Sequence, residues 1–282
     1  MGIRILLFVL LVLLSTPVMA QSAQEALKQA EASMVVTGHV DIEADGTVSA
    51  HHIDRRPDLP GFVVDLVDRA ASVWRFEPLL VDGEPVPARA RMNLRVVARP
   101  AGDNYEVSIA NGSFGEYSDT ATDHVTRRQD RFKPPRYPEE MLRRGVAGTV
   151  YLLLKVGRDG SVEDVIAERV NLRAYARERD MERWRRSFAQ RSVNTARDWK
   201  FNPPTTGPRV DEEFWVVRVP VEYAINGNDV TAGTWEQYVP GPVHPAPDWM
   251  EDAAGSSASD AMIAGGVQMV GNERRLLTPL GG

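Results

Sequence analysis

One short motif occurs twice in this chain, each time downstream of an Asp-Gly pair, and it restricts the fold more than any other feature. Trp74-Arg75-Phe76-Glu77-Pro78 follows Asp45-Gly46, and Trp199-Lys200-Phe201-Asn202-Pro203 follows Asp159-Gly160. Asp-Gly supplies the positive-φ residues that tight hairpins favour. A set of signals that recurs in the same order marks an internal repeat, here two copies of one small domain. The alternative is two unrelated β-α-β pieces that share common turns.

The later copy is the clearer. Pro138 suits a first helical position and Gly145 the left-handed residue after a helix end, so the charged run Glu139 to Arg144 reads as a helix of one or two turns. Gly148 then leads a strand with Val150, Leu152, Leu154 and Val156 on one face at period two. After the Asp159-Gly160 reversal a second strand runs through Val162, Val165 and Ile166. A helix fits Glu178 to Asp198, with Met181, Trp184, Phe188 and Trp199 near helical spacing on its inner stripe. Phe214 to Tyr223 is the last strand, with Val217, Val219, Val221 and Tyr223 inward.

In the earlier copy Val36, Val40 and Ile42 alternate before the turn, and Val48 and Ile53 continue after it. A helical stripe follows through Phe62, Leu66, Ala70 and Trp74, then a strand through Leu94 and Val96. Trp74 and Trp199, with Phe76 and Phe201, are read as caps on each core rather than as ligand-binding residues.

The expected fold class is α+β: two tandem domains, each a small three-stranded antiparallel sheet packed on a helix. The expected layout is a leader over 1–20, a segment over 21–34, the first domain over 35–98, a linker over 99–131, the second domain over 132–225, and a Pro/Gly-rich, disordered tail over 226–282. A short strand over Tyr105 to Ile109 would join the first domain. Trp235, Tyr238 and Trp249 beside Pro240, Pro242, Pro245 and Pro247 keep a docked tail as the alternative.

The stretch from Arg136 to Tyr223 resembles the C-terminal domain of TonB-type energy transducers. The matching features are Tyr137-Pro138 before a short helix, Gly148, the Asp159-Gly160 hairpin, Trp199-Lys200-Phe201 with Pro203, and the closing Val219-Pro220-Val221. The earlier copy, lacking the Tyr-Pro opening and its helix, looks like a degenerate version. In that family the domain crosses the periplasm and captures a short extended segment of an outer-membrane receptor beside its last strand. It passes on force from an inner-membrane, proton-driven motor complex. Carried over by position, the resemblance implies partner contacts at Tyr137, Pro138, Phe214, Trp215, Val216, Val217, Arg218 and Val219.

The chain also departs from the family pattern. A TonB transducer keeps its N-terminal helix in the membrane and follows it with a long proline-rich spacer. Here Arg4, an apolar run from Ile5 to Leu14, and Val18-Met19-Ala20 read as a signal peptide cut after Ala20. An uncleaved anchor is the alternative, although Ile5 to Ala20 falls short of the about twenty apolar residues a spanning helix needs. Export implies a periplasmic location, and an inner-membrane attachment if the leader is retained. With no cysteine in the chain, packing alone must hold each domain in that compartment.

No catalytic constellation is present: no Gly-x-Ser-x-Gly elbow, no His-Glu-x-x-His, and no phosphate-cradling loop. The five histidines form no metal pair, so neither metal nor cofactor is expected, and a net charge of −6 gives no general attraction to nucleic acid. The Arg-rich helix offers Arg177, Arg183 and Arg186 as a surface for an anionic partner, or as a solvated face with internal ion pairs. Pro220 belongs on an edge strand because it cannot donate to a central ladder. The sequence therefore points to edge-strand capture of an extended receptor segment, with energy transduction as its extension. The alternative is a soluble periplasmic adaptor that reuses the fold without energy coupling.

Overall fold

The computed structural model describes residues 31–102, 104–116, 122–225, 231–253, 260–271 and 273–281. The expected leader and most of the segment over 21–34 lie outside them. In chain order the first part contains β1 (Glu31–Ile42), β2 (Val48–Ile53), α1 (Gly61–Val73), β3 (Leu79–Val81), β4 (Glu84–Val86), β5 (Ala88–Ala101) and β6 (Asn104–Glu116). The second part contains β7 (Thr126–Arg127), α2 (Glu139–Arg143), β8 (Gly148–Gly157), β9 (Val162–Leu172), α3 (Glu178–Ala196), β10 (Phe201–Asn202) and β11 (Phe214–Tyr223). Two short strands follow, β12 (Glu236–Tyr238) and β13 (Gln268–Met269).

The two main sheets are antiparallel and larger than the three strands expected of each, beside two-stranded pairs of β3 with β4 and β7 with β10. The first has five strands in the order β12-β1-β5-β6, with β2 paired to the later half of β1. The second has four, in the order β13-β11-β8-β9. The extra strands come from two places. The span 99–131, expected to be a linker, contributes β6, which pairs along nearly the whole of β5. The tail supplies β12 and β13, so its described parts are docked rather than free.

The two Asp-Gly turns have the same construction. Gly46 and Gly160 sit at φ 82° and φ 76°, a region open to glycine at no steric cost. A side chain at either would run into the carbonyl of Phe76 or Phe201 respectively. Phe76 N donates to Gly46 O at 2.8 Å, and Phe201 N donates to Gly160 O at 2.9 Å. Asp45 Oδ1 accepts from Thr47 N, and Asp159 Oδ1 from Ser161 N, each at 2.9 Å. Each aromatic-basic-aromatic motif thus docks onto its own hairpin through main-chain bonds. The indoles follow suit: Trp74 Nε1 donates to Leu280 O at 3.1 Å and Trp199 Nε1 to Lys133 O at 2.7 Å. Both rings are fully buried, as cap residues should be.

Each helix covers one face of its sheet. On α3, Met181, Trp184 and Phe188 enter a core with Val150, Leu152, Leu154 and Val156 of β8 and Val217, Val219, Val221 and Tyr223 of β11. These inward sets match the period-two reading. On α1 the buried stripe is Val63, Val67 and Ala70 with Val64 and Ala71, one residue round from the expected one. Phe62 is half-exposed and stacks on Trp235 of the tail.

β8 is buried on both faces, which a sheet covered by one helix cannot explain. On its far side Leu153 packs with Val216, Met250 and Val270, the last two from the tail. Tyr151, also on that side, reaches Arg95 of β5. The second layer over this sheet is therefore the first module and the tail.

Candidate partner-binding edge

β11 pairs with β8 through all ten of its residues, from Phe214↔Gly157 to Tyr223↔Gly148. On its other side the ladder is short. Only Val217↔Met269 and Arg218↔Gln268 are paired, extended by Val270 N donating to Val216 O at 2.8 Å. The strand expected to be a bare edge is thus covered at its middle by the chain's own tail. Among the described residues, no strand pairs with Val219 to Tyr223 on that side. A strand can be added at this edge because its donors and acceptors face outward, and the tail uses three residues' worth of them.

The side chains along β11 are held firmly. Trp215 Nε1 donates to Arg209 O at 2.9 Å. Tyr223 Oη and Ser192 Oγ share a hydrogen bond of 2.9 Å, and burial pushes the Tyr223 phenol up to about 12, against the hydrogen bond from Ser192. Arg218 is fully buried and grips Glu168 of β9 bidentately, Nε to Oε2 at 2.8 Å and Nη2 to Oε1 at 2.9 Å. Its Nη1 makes no hydrogen bond and faces Glu273 Oε1 of the tail at 3.9 Å. Charge-assisted bidentate pairs are strong and geometrically specific, so Arg218 is fixed in place whatever covers it.

Tyr137 and Pro138 lie at the far end of the strand from Phe214. Tyr137 Oη donates to Val146 O at 2.6 Å, and its ring meets Phe188 and Tyr223 edge-on. Burial pushes its phenol up to about 12, partly countered by Arg173. Pro138 is buried and stands just before α2, at the position that precedes its first turn. The structure therefore brings Tyr137 to the end of β11 and leaves Phe214 to Val219 as a separate stretch. Beside Pro220, Val221 and Glu222 opens a groove of about 460 Å³, walled by Phe132, Pro134, Pro135 and Trp199 and by Ala264 and Gly265 of the tail.

The Arg-rich helix offers a second surface, over β9 and β8 rather than beside β11. Arg177 is exposed at the start of α3. Arg183 pairs with Asp180 at 3.2 Å and Glu140 at 3.4 Å, and Arg186 with Glu182 at 3.9 Å. Exposed pairs of this kind contribute little to stability and leave much of the charge in solvent.

The most heavily built polar feature is one that sequence reasoning missed. Asp260 of the tail is buried between the two modules. Its carbonyl accepts from Arg95 Nε at 3.0 Å and from Tyr151 Oη at 2.9 Å. Its carboxylate accepts from Asn111 at 3.1 Å and Asn171 at 2.8 Å, and pairs with Arg169 at 3.0 Å and Arg95 at 3.4 Å. Burial alone would raise the Asp260 carboxyl, but Arg95 and Arg169 outweigh it and hold it below the ordinary range. Arg95 in turn donates to Ser33 Oγ at 2.6 Å. A single arginine in the apolar run Leu94-Arg95-Val96-Val97 was the available signal.

Among the described residues no group of His, Asp or Glu side chains could hold a metal ion, and no helix is long and apolar enough to cross a membrane. No family model matches the chain, and no solved structure matches it. Two curated proteins named TonB, from Xanthomonas campestris pv. campestris strains B100 and ATCC 33913, are each 36% identical to it over 93 residues. That stretch is 33% of this chain and 35% of each relative, so the chain spans about a third of the length of the curated relatives it matches. About a third of the chain is accordingly TonB-like.

Proposed function

We propose that the chain is a TonB-like protein of the cell envelope whose later module binds an extended segment of an outer-membrane receptor, added as a strand along β11. The observation that supports this best is the asymmetry of β11: ten residues are paired on one side and two on the other. A strand edge that already takes an extended segment of its own chain has the geometry to take one from another protein. The resemblance of Arg136 to Tyr223 to the TonB C-terminal domain suggests the partner, and a third of the chain is 36% identical to proteins named TonB.

In this reading residues 132–225 are the binding domain and residues 35–98 a degenerate copy of it. The matched Gly46 and Gly160 turns and the matched Trp74 and Trp199 caps support that duplication. The leader directs export to the periplasm. Phe214 to Val219 provide the main-chain contacts, and Tyr137 and Pro138 shape the end of the strand from beneath. The protein acts by binding rather than catalysis, and transmission of proton-motive force from an inner-membrane motor complex is the extension of this role. Arg177, Arg183 and Arg186 form a secondary surface for an anionic partner.

The test is photo-crosslinking in cells, with a photoreactive residue at Phe214, which is partly exposed. Adducts with an outer-membrane receptor are expected. Adducts only from positions on α3, such as Arg183, would replace edge capture with an adaptor that binds through its basic helix.

A further inference from the structure

The tail does more than end the chain. After Tyr223 it lies along β9, where Val239 and Leu172 exchange main-chain hydrogen bonds at 2.7 and 3.0 Å and His244 N donates to Glu168 O at 2.8 Å. Asp260 then plunges between the modules. Gln268 to Val270 pair with β11. Beyond them, Arg274 N donates to Phe114 O of β6 at 2.7 Å, and Leu276 bridges Phe76. Both outer strands of the later module's central meander are therefore covered by one segment of the same chain.

The span over β11 is anchored at both ends and lightly held in the middle. One anchor is the buried Asp260 cluster, and the other is the seating of Leu276 and Leu280 on the first core. Between them the tail passes clefts of about 800 and 460 Å³, both lined by Ala264 and Gly265. A strand of two residues bordered by open clefts is a small fraction of the ladder that β11 can support. Its side chains nonetheless fill positions that a bound peptide would fill. Met269 enters the main core, Val270 packs on Leu153 and Val216, and Glu273 stands opposite the buried Arg218.

We propose that residues 264–271, with Glu273 beyond them, are an intramolecular occupant of the partner-binding edge, which an incoming extended segment displaces. The proposal rests on the edge-capture reading above and adds a regulation and a ligand chemistry to it. The displacing segment is a short extended peptide that carries an apolar pair and, about three residues on, an acidic side chain. Arg218 supplies the reason for the acidic group. Removing the tail would take away the carboxylate that faces Arg218 Nη1 at 3.9 Å, while Glu168 still holds Nε and Nη2, so the buried guanidinium keeps one counter-charge and loses a second. A peptide that restores a carboxylate there binds preferentially, whereas one with an apolar residue in its place does not.

The experiment uses the full chain and a fluorescent synthetic peptide with the sequence of residues 264–275. Val270→Pro deletes the N–H that bonds Val216 O and so loosens the strap. If the strap closes about nine chains in ten, releasing it raises the apparent affinity for the peptide by about tenfold, since only the open fraction binds. The expected result is that gain in Val270→Pro over the unmodified chain, with several-fold weaker binding of a peptide in which the glutamate is glutamine. Should Val270→Pro fail to fold by near-ultraviolet circular dichroism, the milder Glu273→Gln chain replaces it, with a gain in the same direction. Equal binding by unmodified and loosened chains would overturn the occupant proposal and leave edge capture standing. No binding by a folded, loosened chain would remove edge capture itself, and this proposal with it.

Discussion

Arg95 and Asp260 provide the sharpest energetic test of how the modules and tail hold together. Both side chains are 2% exposed, so each charge is stabilised by its neighbours rather than by water. Removing one partner of such a pair usually costs about 3–5 kcal/mol, because the other is left buried and unpaired. Neither residue here is left wholly alone. After Asp260→Asn, Arg95 keeps the Asp260 carbonyl, Tyr151 and Glu236, the last at 3.4 Å. After Arg95→Met, Asp260 keeps Arg169, Asn111 and Asn171. Each single change should therefore fall at or below the low end, about 2–3 kcal/mol. The double variant removes both charges and should cost less than the two singles combined by about 1.5–3 kcal/mol, the coupling expected of residues in one network. Urea unfolding followed by tryptophan fluorescence, run as a double-mutant cycle, measures this. Additivity within about 0.5 kcal/mol would refute the claim that these charges stabilise each other.

Other consequences follow from the turns and from the same carboxylate. Gly160→Ala and Gly46→Ala each force a side chain into a positive-φ position against a carbonyl, so each should lose about 1–3 kcal/mol of stability by urea unfolding. Matching losses would fit the shared construction of the two hairpins; a neutral result at either would contradict it. The Asp260 carboxyl is held below its ordinary 3.8 in the folded chain, so its stabilising effect is complete above that value and fades as pH falls through the folded pKa. Asp260→Asn should therefore unfold less steeply than the unmodified chain as pH drops below 4, by thermal melts across that range. Parallel acid limbs would count against the buried ion network.

Much of this architecture was legible in the sequence because local and global signals agree in it. Gly160 and Gly46 stand where the backbone needs positive φ, and Trp199 and Trp74 stand where a helix hands over to the last strands. The period-two sets on β8 and β11 gave the right inward faces because α3 covers that side of the sheet. β6 was harder to read. Its Gly112 reads as a loop residue, yet it lies in a strand where Leu94 and Leu280 already fill the space a side chain would need. The docked tail was harder still. Proline-rich composition argues for solvated chain, and nothing in the small, polar run Ser256-Ser257-Ala258-Ser259 marks the following Asp260 as a buried anchor. Its partners Arg95, Arg169 and Asn171 are remote in sequence, and only the packing of one module on the other brings them together. At β11, Pro220 pointed to an edge strand, whereas the structure pairs two of its residues on the outer side with a segment of the tail that composition did not mark.

The central claim is that β11 receives an extended chain from a partner along its outer side. Nuclear magnetic resonance of the isotope-labelled full chain with an unlabelled receptor segment tests it most directly, through contacts between the α-protons of the two chains. The account predicts cross-strand contacts to residues 214–223, with the amides of 268–270 losing their protection as the tail leaves. Contacts confined to the arginines of α3, or a saturated complex in which the β11 and tail signals do not change, would contradict it.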